Sequence, residues 1–317
     1  MRSGWWCGGV GWGTGVPVLR WGRGGGGGVR ESGLLGGGFV GFRVVGERVC
    51  GGARGNPCPV RAVLGGRGTG GLCGECARLD RMHSVAADAL ADDPRVYRVY
   101  LAWFGPGMVK VGITREERGA ARLLEQGAVV FSWLGRGPLM AARRAEELVR
   151  VALGVPDRIP YAEKRRVRAG LPGVVERGDE VRRTHARVAA LDGWPESLER
   201  LEFAAVDHGG VFGLDGLPPA GAVVRELVEG GCVAGRILAV AGPDLHLATG
   251  RGEGPGGVVV LDTRLMVGWE LVGVRREGER EGERDGDEEG EGVEGSGGGI
   301  SVPLVEVRGG GVQGGLF

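Results

Sequence analysis

Residues 96–115 read V-Y-R-V-Y-L-A-W-F-G-P-G-M-V-K-V-G-I-T-R, and their order decides the fold. Val96 to Phe104 is rich in β-branched and aromatic residues, which favour a pleated, half-buried strand. Gly105-Pro106-Gly107 can only turn the chain, and Met108 to Ile113 is strand-like again, so the stretch predicts a β-hairpin. A helix should follow, with Thr114 capping it and Glu117 three residues on. Ala121, Leu124 and Ala128 share its face, while Gly119 and Gly127 keep it short. Val129 to Leu134 predicts a third strand. Leu139, Ala142, Ala145, Leu148, Val149 and Ala152 then recur at helical spacing and predict a second helix over 139–153. The order is ββαβα.

Upstream lies a cysteine cluster, Cys50-x7-Cys58-x14-Cys73-x2-Cys76. A C-x2-C knuckle places two thiolates on one tight turn, at the separation that tetrahedral zinc requires. Cys58, Cys73 and Cys76 are therefore candidate ligands of a structural zinc, with Cys50 or His83 as the fourth. The competing reading is a set of unrelated reduced thiols. Reduced thiols fit the expected cytoplasmic location: there is no apolar run of transmembrane length, and Trp5-Trp6-Cys7 dissolves into glycine where a signal peptide needs an apolar core.

The 317 residues include 69 Gly, concentrated towards the two ends, and 40 Lys and Arg balance 40 Asp and Glu. No whole-molecule field therefore favours nucleic acid or membrane. Locally, from Arg136 to Arg187, thirteen Arg and Lys stand against seven Asp and Glu. The chain divides into five parts. Residues 1–44 form a Gly/Trp/Arg-rich tail, and 277–317 an acidic, Gly-rich one; neither shows an apolar period, so both are expected to be disordered. Residues 45–92 hold the zinc-ribbon-like loop with a short helix from Ala86 to Pro94. Residues 93–197 form the central unit with basic helices, interrupted at Gly170-Leu171-Pro172-Gly173. Residues 198–276 form a small antiparallel β module, with strands near 223–228, 233–241, 245–248, 258–262 and 269–274. That module could hold an oligonucleotide or simply cover the central sheet. The segment 301–307 could add an edge strand. The fold class is α+β.

The ββαβα order, with an aromatic residue on its first strand, G-I-T ending its second and an Arg on the next helix, resembles the GIY-YIG nuclease fold. Lys110-Val111-Gly112-Ile113-Thr114-Arg115 with Glu125-Gln126-Gly127-Ala128 resembles an uncharacterised bacterial family, domain-of-unknown-function family 2797, in which a cysteine cluster precedes this region. The nuclease resemblance implies a site where a Tyr on each of two strands, an Arg and a metal-holding Glu surround a scissile phosphate. Position by position, Tyr100 stands at the first Tyr and Lys110 at the second. Arg122 stands at the Arg, with Arg118 as competitor, and Glu146 at the carboxylate that would hold Mg²⁺, with Glu147 beside it.

Lysine for tyrosine shifts weight from cleavage towards binding, because an ammonium holds a phosphate as a point charge, whereas it becomes a base only if its pKa falls far. Lys110, Arg115, Arg118 and Arg122 are the candidate phosphate ligands. The expected function is binding of DNA or RNA phosphates without cleavage. The alternatives are a metal-dependent endonuclease, and a structural or protein-interaction module in which Tyr100 packs its ring and Arg122 forms a plain ion pair.

Overall fold

The first 45 residues carry β-branched and aromatic side chains among many glycines. The structure, a computed structural model, describes residues 5–23, 28–82, 93–250, 257–274 and 299–307. It places four strands there: β1 (Trp5–Gly11), β2 (Val18–Arg23), β3 (Val29–Gly33) and β4 (Phe39–Val45). Cys7, Trp12, Leu19, Leu34, Phe42 and Val44 are buried in the main core. The expectation of a disordered 1–44 tail is thus corrected for its described residues. The glycines permit close approach: a β-carbon at Gly41 would lie 2.5 Å from the carbonyl oxygen of Val274, where only glycine fits.

The cysteine loop leads to α1 (Gly74–Arg81). The predicted helix from Ala86 falls on residues 83–92, outside the described residues. The central unit follows as β5 (Val96–Trp103), β6 (Val109–Arg115), α2 (Ala121–Gln126), β7 (Val130–Pro138) and α3 (Leu139–Leu153), in the predicted ββαβα order. The Thr114 cap does not form. A 3₁₀ turn, Glu116–Arg118, intervenes with Arg115 at its cap, and Gly119 at φ 46° separates it from α2. Next come α4 (Tyr161–Val167) and α5 (Val174–Ala189), divided where Leu171-Pro172-Gly173 forbids a continuous helix. Then come β8 (Glu199–Arg200), β9 (Val206–Asp207), α6 (Gly209–Phe212), β10 (Ala220–Val224), β11 (Cys232–Ala241), β12 (Asp244–Ala248), β13 (Val258–Asp262), β14 (Glu270–Gly273) and β15 (Leu304–Glu306).

The small sheet runs β6-β5-β7-β8, with β9 also paired to β7, and α3 and α5 pack on it. The large sheet runs β15-β10-β13-β12-β11-β4-β14-β1-β2-β3. The expected small module at 198–276 is therefore divided: β8 and β9 join the small sheet, while β10 to β14 belong to a ten-stranded sheet completed by the N-terminal strands. It is not wholly antiparallel, because β10 and β13 pair in parallel. The 301–307 segment supplies β15 at one edge, while 275–298 lies outside the described residues.

The two sheets meet where α2 and α4 reach the β11–β12 turn. A β-carbon at Gly242 would lie 2.8 Å from the backbone nitrogen of Gly127, so the backbones touch there. Arg165 pairs with Asp244 and Asp262 at 2.6 Å each, Arg168 pairs with Asp244, and Arg264 with Asp262. Asp244, Asp262 and Arg168 are buried, and Arg165 and the partly exposed Arg264 complete the compensation of the two carboxylates.

Candidate functional site

Four cysteines converge beside α1. Cys73 stands in extended conformation just before the helix and Cys76 in its first turn, so the C-x2-C knuckle straddles a loop-to-helix junction. The sulfurs of Cys50, Cys58, Cys73 and Cys76 lie within 4.8 Å of one another, with Cys58 and Cys73 at 3.9 Å. Zn–S bonds of about 2.3 Å in a tetrahedron separate sulfurs by about 3.8 Å, so the spacing is compatible with a structural zinc.

The backbone also donates hydrogen bonds to two of these sulfurs. The amides of Gly52 and Cys73 donate to Cys50 Sγ at 3.4 and 3.1 Å. The amide of Ala62, followed by that of Val60, brings the Cys58 thiol down to about 7 against the pull of burial. Burial, reinforced by the neighbouring sulfurs, pushes Cys76 up to about 12. A divalent cation would compensate the charge of thiolates held this close together. Cys50 supplies the fourth sulfur of the cluster; His83 lies outside the described residues.

The second cluster sits on the central unit. Tyr100 on β5 pairs with Gly112 on β6, and its ring lies across that glycine: a β-carbon there would meet the ring Cζ at 2.5 Å. This is a physical reason for Gly after Lys110-Val111. The phenol accepts a 3.0 Å hydrogen bond from the Gln126 side chain at the end of α2, and Trp133 meets the ring edge-on. Burial raises the phenol's pKa, with the Gln126 bond and Arg122 pulling the other way. Tyr100 is therefore an uncharged hydrogen-bonding wall of the cluster rather than a phenolate.

Lys110 follows from β6, 8% exposed, with its ammonium 5.7 Å from the Tyr100 ring centroid. It donates to the Asp157 carbonyl at 3.0 Å. Burial first, then Arg122, lower it to about 8, against the opposing pull of Glu146 and Asp157. Glu146, on α3, is half-buried and forms no hydrogen bond or ion pair among the described residues. Burial raises its pKa, while Lys110 draws it down. Arg122 is exposed on α2, held only loosely by Glu125 at 3.7 Å.

Tyr100, Lys110, Arg122 and Glu146 are thus brought into one electrostatic neighbourhood. The other predicted phosphate ligands are not gathered in the same way. Arg118 is engaged by Glu125 through bonds of 2.6 and 2.8 Å, and Arg115 reaches the Tyr97 hydroxyl at 3.4 Å. Glu147 pairs with Arg150 on the exposed face of α3.

Sequence reasoning missed Gln126 and Lys164 as part of this cluster. Lys164 donates to the Gln126 carbonyl at 3.1 Å and lies over the rings of Phe104 at 3.7 Å and Tyr161 at 4.4 Å. Burial, then Arg168 and Lys110, lower it to about 7. A signal was present: among 40 Lys and Arg, only positions 110 and 164 are lysine.

A family profile described as "Protein of unknown function (DUF2797)" matches residues 70–271. No curated protein and no solved structure matches the chain. The match spans more than half of the sequence and takes in the C-x2-C knuckle, the central unit and most of the large sheet's C-terminal strands, so the chain belongs to the DUF2797 family.

Proposed function

We propose that the cluster around Lys110 binds a phosphodiester of DNA or RNA, and that Cys50, Cys58, Cys73 and Cys76 hold a structural zinc that fixes the adjoining loop. The observation that carries the phosphate reading is that the Arg122 cation acts on Lys110, which in turn acts on Glu146, a half-buried carboxylate with no hydrogen bond or ion pair among the described residues. Two cations with an uncommitted carboxylate suit a phosphate and the divalent ion that accompanies it. In this reading Arg122 stands at the exposed rim and meets the phosphate first, while Lys110 holds it from below. Fluorescence anisotropy with single- and double-stranded oligonucleotides at low salt tests the idea. Arg122→Ala should weaken binding and reduce its salt dependence by about one phosphate contact. Equally poor binding by wild type and variant would sink it.

One observation favours cleavage as a second reading. An amine near 8 is partly unprotonated at neutral pH, which gives Lys110 the general-base capacity that an ordinary lysine lacks. Mg²⁺-dependent scission by wild type, abolished in Glu146→Ala, would select this reading; binding without any product would select the first. For zinc, elemental analysis of the purified protein should give about one equivalent, lost in Cys58→Ser. A content well below one equivalent in wild type would rule the metal out.

A further inference from the structure

We propose that the loop Gly65-Gly66-Arg67-Gly68-Thr69-Gly70-Gly71 and the buried Arg48 form a second anion site, which takes the phosphate group of a phosphate monoester. The site shares no residue with the Lys110 cluster and stands apart from the reading of it. Arg48 is 1% exposed, and its guanidinium is the hub of the loop. Its N–H groups donate to the carbonyls of Val267 at 2.8 Å, Gly65 at 2.9 Å, Gly70 at 3.2 Å and Arg264 at 3.1 Å, and to that of Gly68. The Leu227 amide donates to the Gly66 carbonyl, and the Gly51 amide to that of Gly71.

The carbonyls of Gly65, Gly66, Gly68, Gly70 and Gly71 are thus engaged, and the loop's donors are not. Among the described residues, no amide from Gly65 to Gly71 has an acceptor. Nor does an acid answer the charge of Arg48, whose pKa burial lowers with nothing to offset it. A run of open N–H groups around a cation that lacks a counter-charge is the donor set of an anion receptor.

Beside the loop lies a cavity of about 500 Å³, a volume within the range of small-ligand sites, lined by Arg48, Arg67, Glu226 and glycines of the loop. Packing explains two of the loop's glycines: a β-carbon at Gly66 would lie 2.2 Å from the Leu227 carbonyl oxygen, and one at Gly71 2.3 Å from a Val267 methyl. It does not explain Gly65 and Gly70, which line the cavity. Neither has a left-handed φ, and a β-carbon at either would meet nothing within 4 Å. Glycine there leaves the backbone open to close approach by a ligand. Glu226, the one acid of the lining, is held by Arg67 at 3.0 and 3.4 Å, so the charge of Arg48 is left over. A phosphate monoester presents three acceptor oxygens against a carboxylate's two, which suits a run of donors better.

The test is amide NMR of the ¹⁵N-labelled full chain, titrated at constant ionic strength with inorganic phosphate, acetate, a 5′-phosphorylated oligonucleotide and the same strand with a 5′-hydroxyl. The expected result is a saturable downfield shift of the Gly65 to Gly71 amides, at least tenfold tighter for phosphate than for acetate. Tighter binding of the 5′-phosphorylated strand than of phosphate assigns the ester to a nucleic-acid end, and equal or weaker binding assigns it to a small molecule; both support the site. Gly70→Val adds a side chain in open space and should weaken phosphate binding at least tenfold in a folded protein. Arg48→Gln should remove the shifts, and if it fails to fold, the Gly70 variant decides. Arg122→Ala should leave them unchanged, so that failure of the Lys110 reading does not touch this one. Absence of a saturable shift in the loop, an equal response to acetate, or wild-type affinity in folded Gly70→Val overturns the proposal. Equal shifts with the 5′-hydroxyl strand and the 5′-phosphorylated one overturn the monoester assignment.

Discussion

At the scale of single residues, the informative change is lysine where the nuclease resemblance implies a second tyrosine. A buried phenol and a buried amine respond to desolvation in opposite senses: burial raises Tyr100, keeping it neutral at physiological pH, and lowers Lys110 to about 8. The charge available for phosphate binding should therefore fall as pH rises through about 8. The groups facing the amine are Tyr100 from β5, Arg122 from α2, Glu146 from α3, Asp157 from the following loop and Lys164 from α4. Lys164, lowered to about 7 by burial and then by Arg168 and Lys110, loses its charge at the lower end of the same window. Oligonucleotide affinity measured by anisotropy from pH 6 to 9.5 should drop several-fold across the step, and Lys110→Arg should flatten it. A level profile in wild type would mean that the amine does not touch the phosphate. The same lowered pKa bears on stability. The folded amine gives up its proton more readily than the unfolded one, so its contribution worsens as pH falls from the ordinary lysine range towards 8 and is constant below.

At the scale of elements, α4 is what ties the site to the rest of the molecule. One face of α4 places Lys164 against Gln126, and hence next to Tyr100, while Arg165 and the adjoining Arg168 grip Asp244 at the head of β12. Burial alone would raise the Asp244 carboxyl, but Arg168 and Arg165 more than offset it and its pKa is lowered. The stabilisation is accordingly present at neutral pH and is lost only as pH falls below the ordinary aspartate range. Asp244→Asn should cost about 3–5 kcal/mol in urea unfolding, since it leaves the buried Arg168 without its counter-charge and Arg165 with Asp262 alone. A loss under about 1 kcal/mol would mean that water or a neighbour compensates them.

The central hairpin and α3 were legible in the sequence because every cue for them is local: β-branched runs, Gly-Pro-Gly and a helical period over 139–153. The helix cap at Thr114 was not, because a 3₁₀ turn takes up the residues between β6 and α2. The four site residues could be carried over one by one through the resemblance. Gln126 and Lys164 lie outside any motif that assigns them a role, and only the packing of α2 against α4 joins them. Gly112→Ala tests the local geometry of the hairpin: the added methyl meets the Tyr100 ring, so the ring must move. Reduced oligonucleotide binding in a folded variant would connect that ring position to the site.

At the scale of the whole molecule, the large sheet is assembled from both ends of the chain, which explains why the first 45 residues read as a tail. Their partners are remote: β4 lies between β11 and β14, and β1 pairs with β14. Local sequence carries no trace of such pairings, and glycine dilutes the alternation that would have revealed the strands. The structure reverses the expectation that residues 1–44 form a disordered tail, for those of them it describes. Removing residues 1–45 would expose the edges of β11 and β14 and take Trp12, Leu19, Phe42 and Val44 out of the core. Trp12 is the most telling probe. It is 1% exposed, packs edge-on to Phe212 at 5.3 Å and donates its indole N–H to the Gly242 carbonyl at 3.1 Å, at the turn where the large sheet touches α2. Trp12→Ala should cost about 3–5 kcal/mol by leaving a cavity and an unpaired carbonyl. The truncated chain should lose its cooperative transition and expose apolar surface that binds a hydrophobic dye. Trp12→Phe, which retains most of the volume but not the N–H, should fall between wild type and alanine. If the truncated protein melts at the wild-type temperature and Trp12→Ala is neutral, the N-terminal strands do not belong to the sheet in solution. The match with the DUF2797 profile, which begins at residue 70, would then mark out the part that folds.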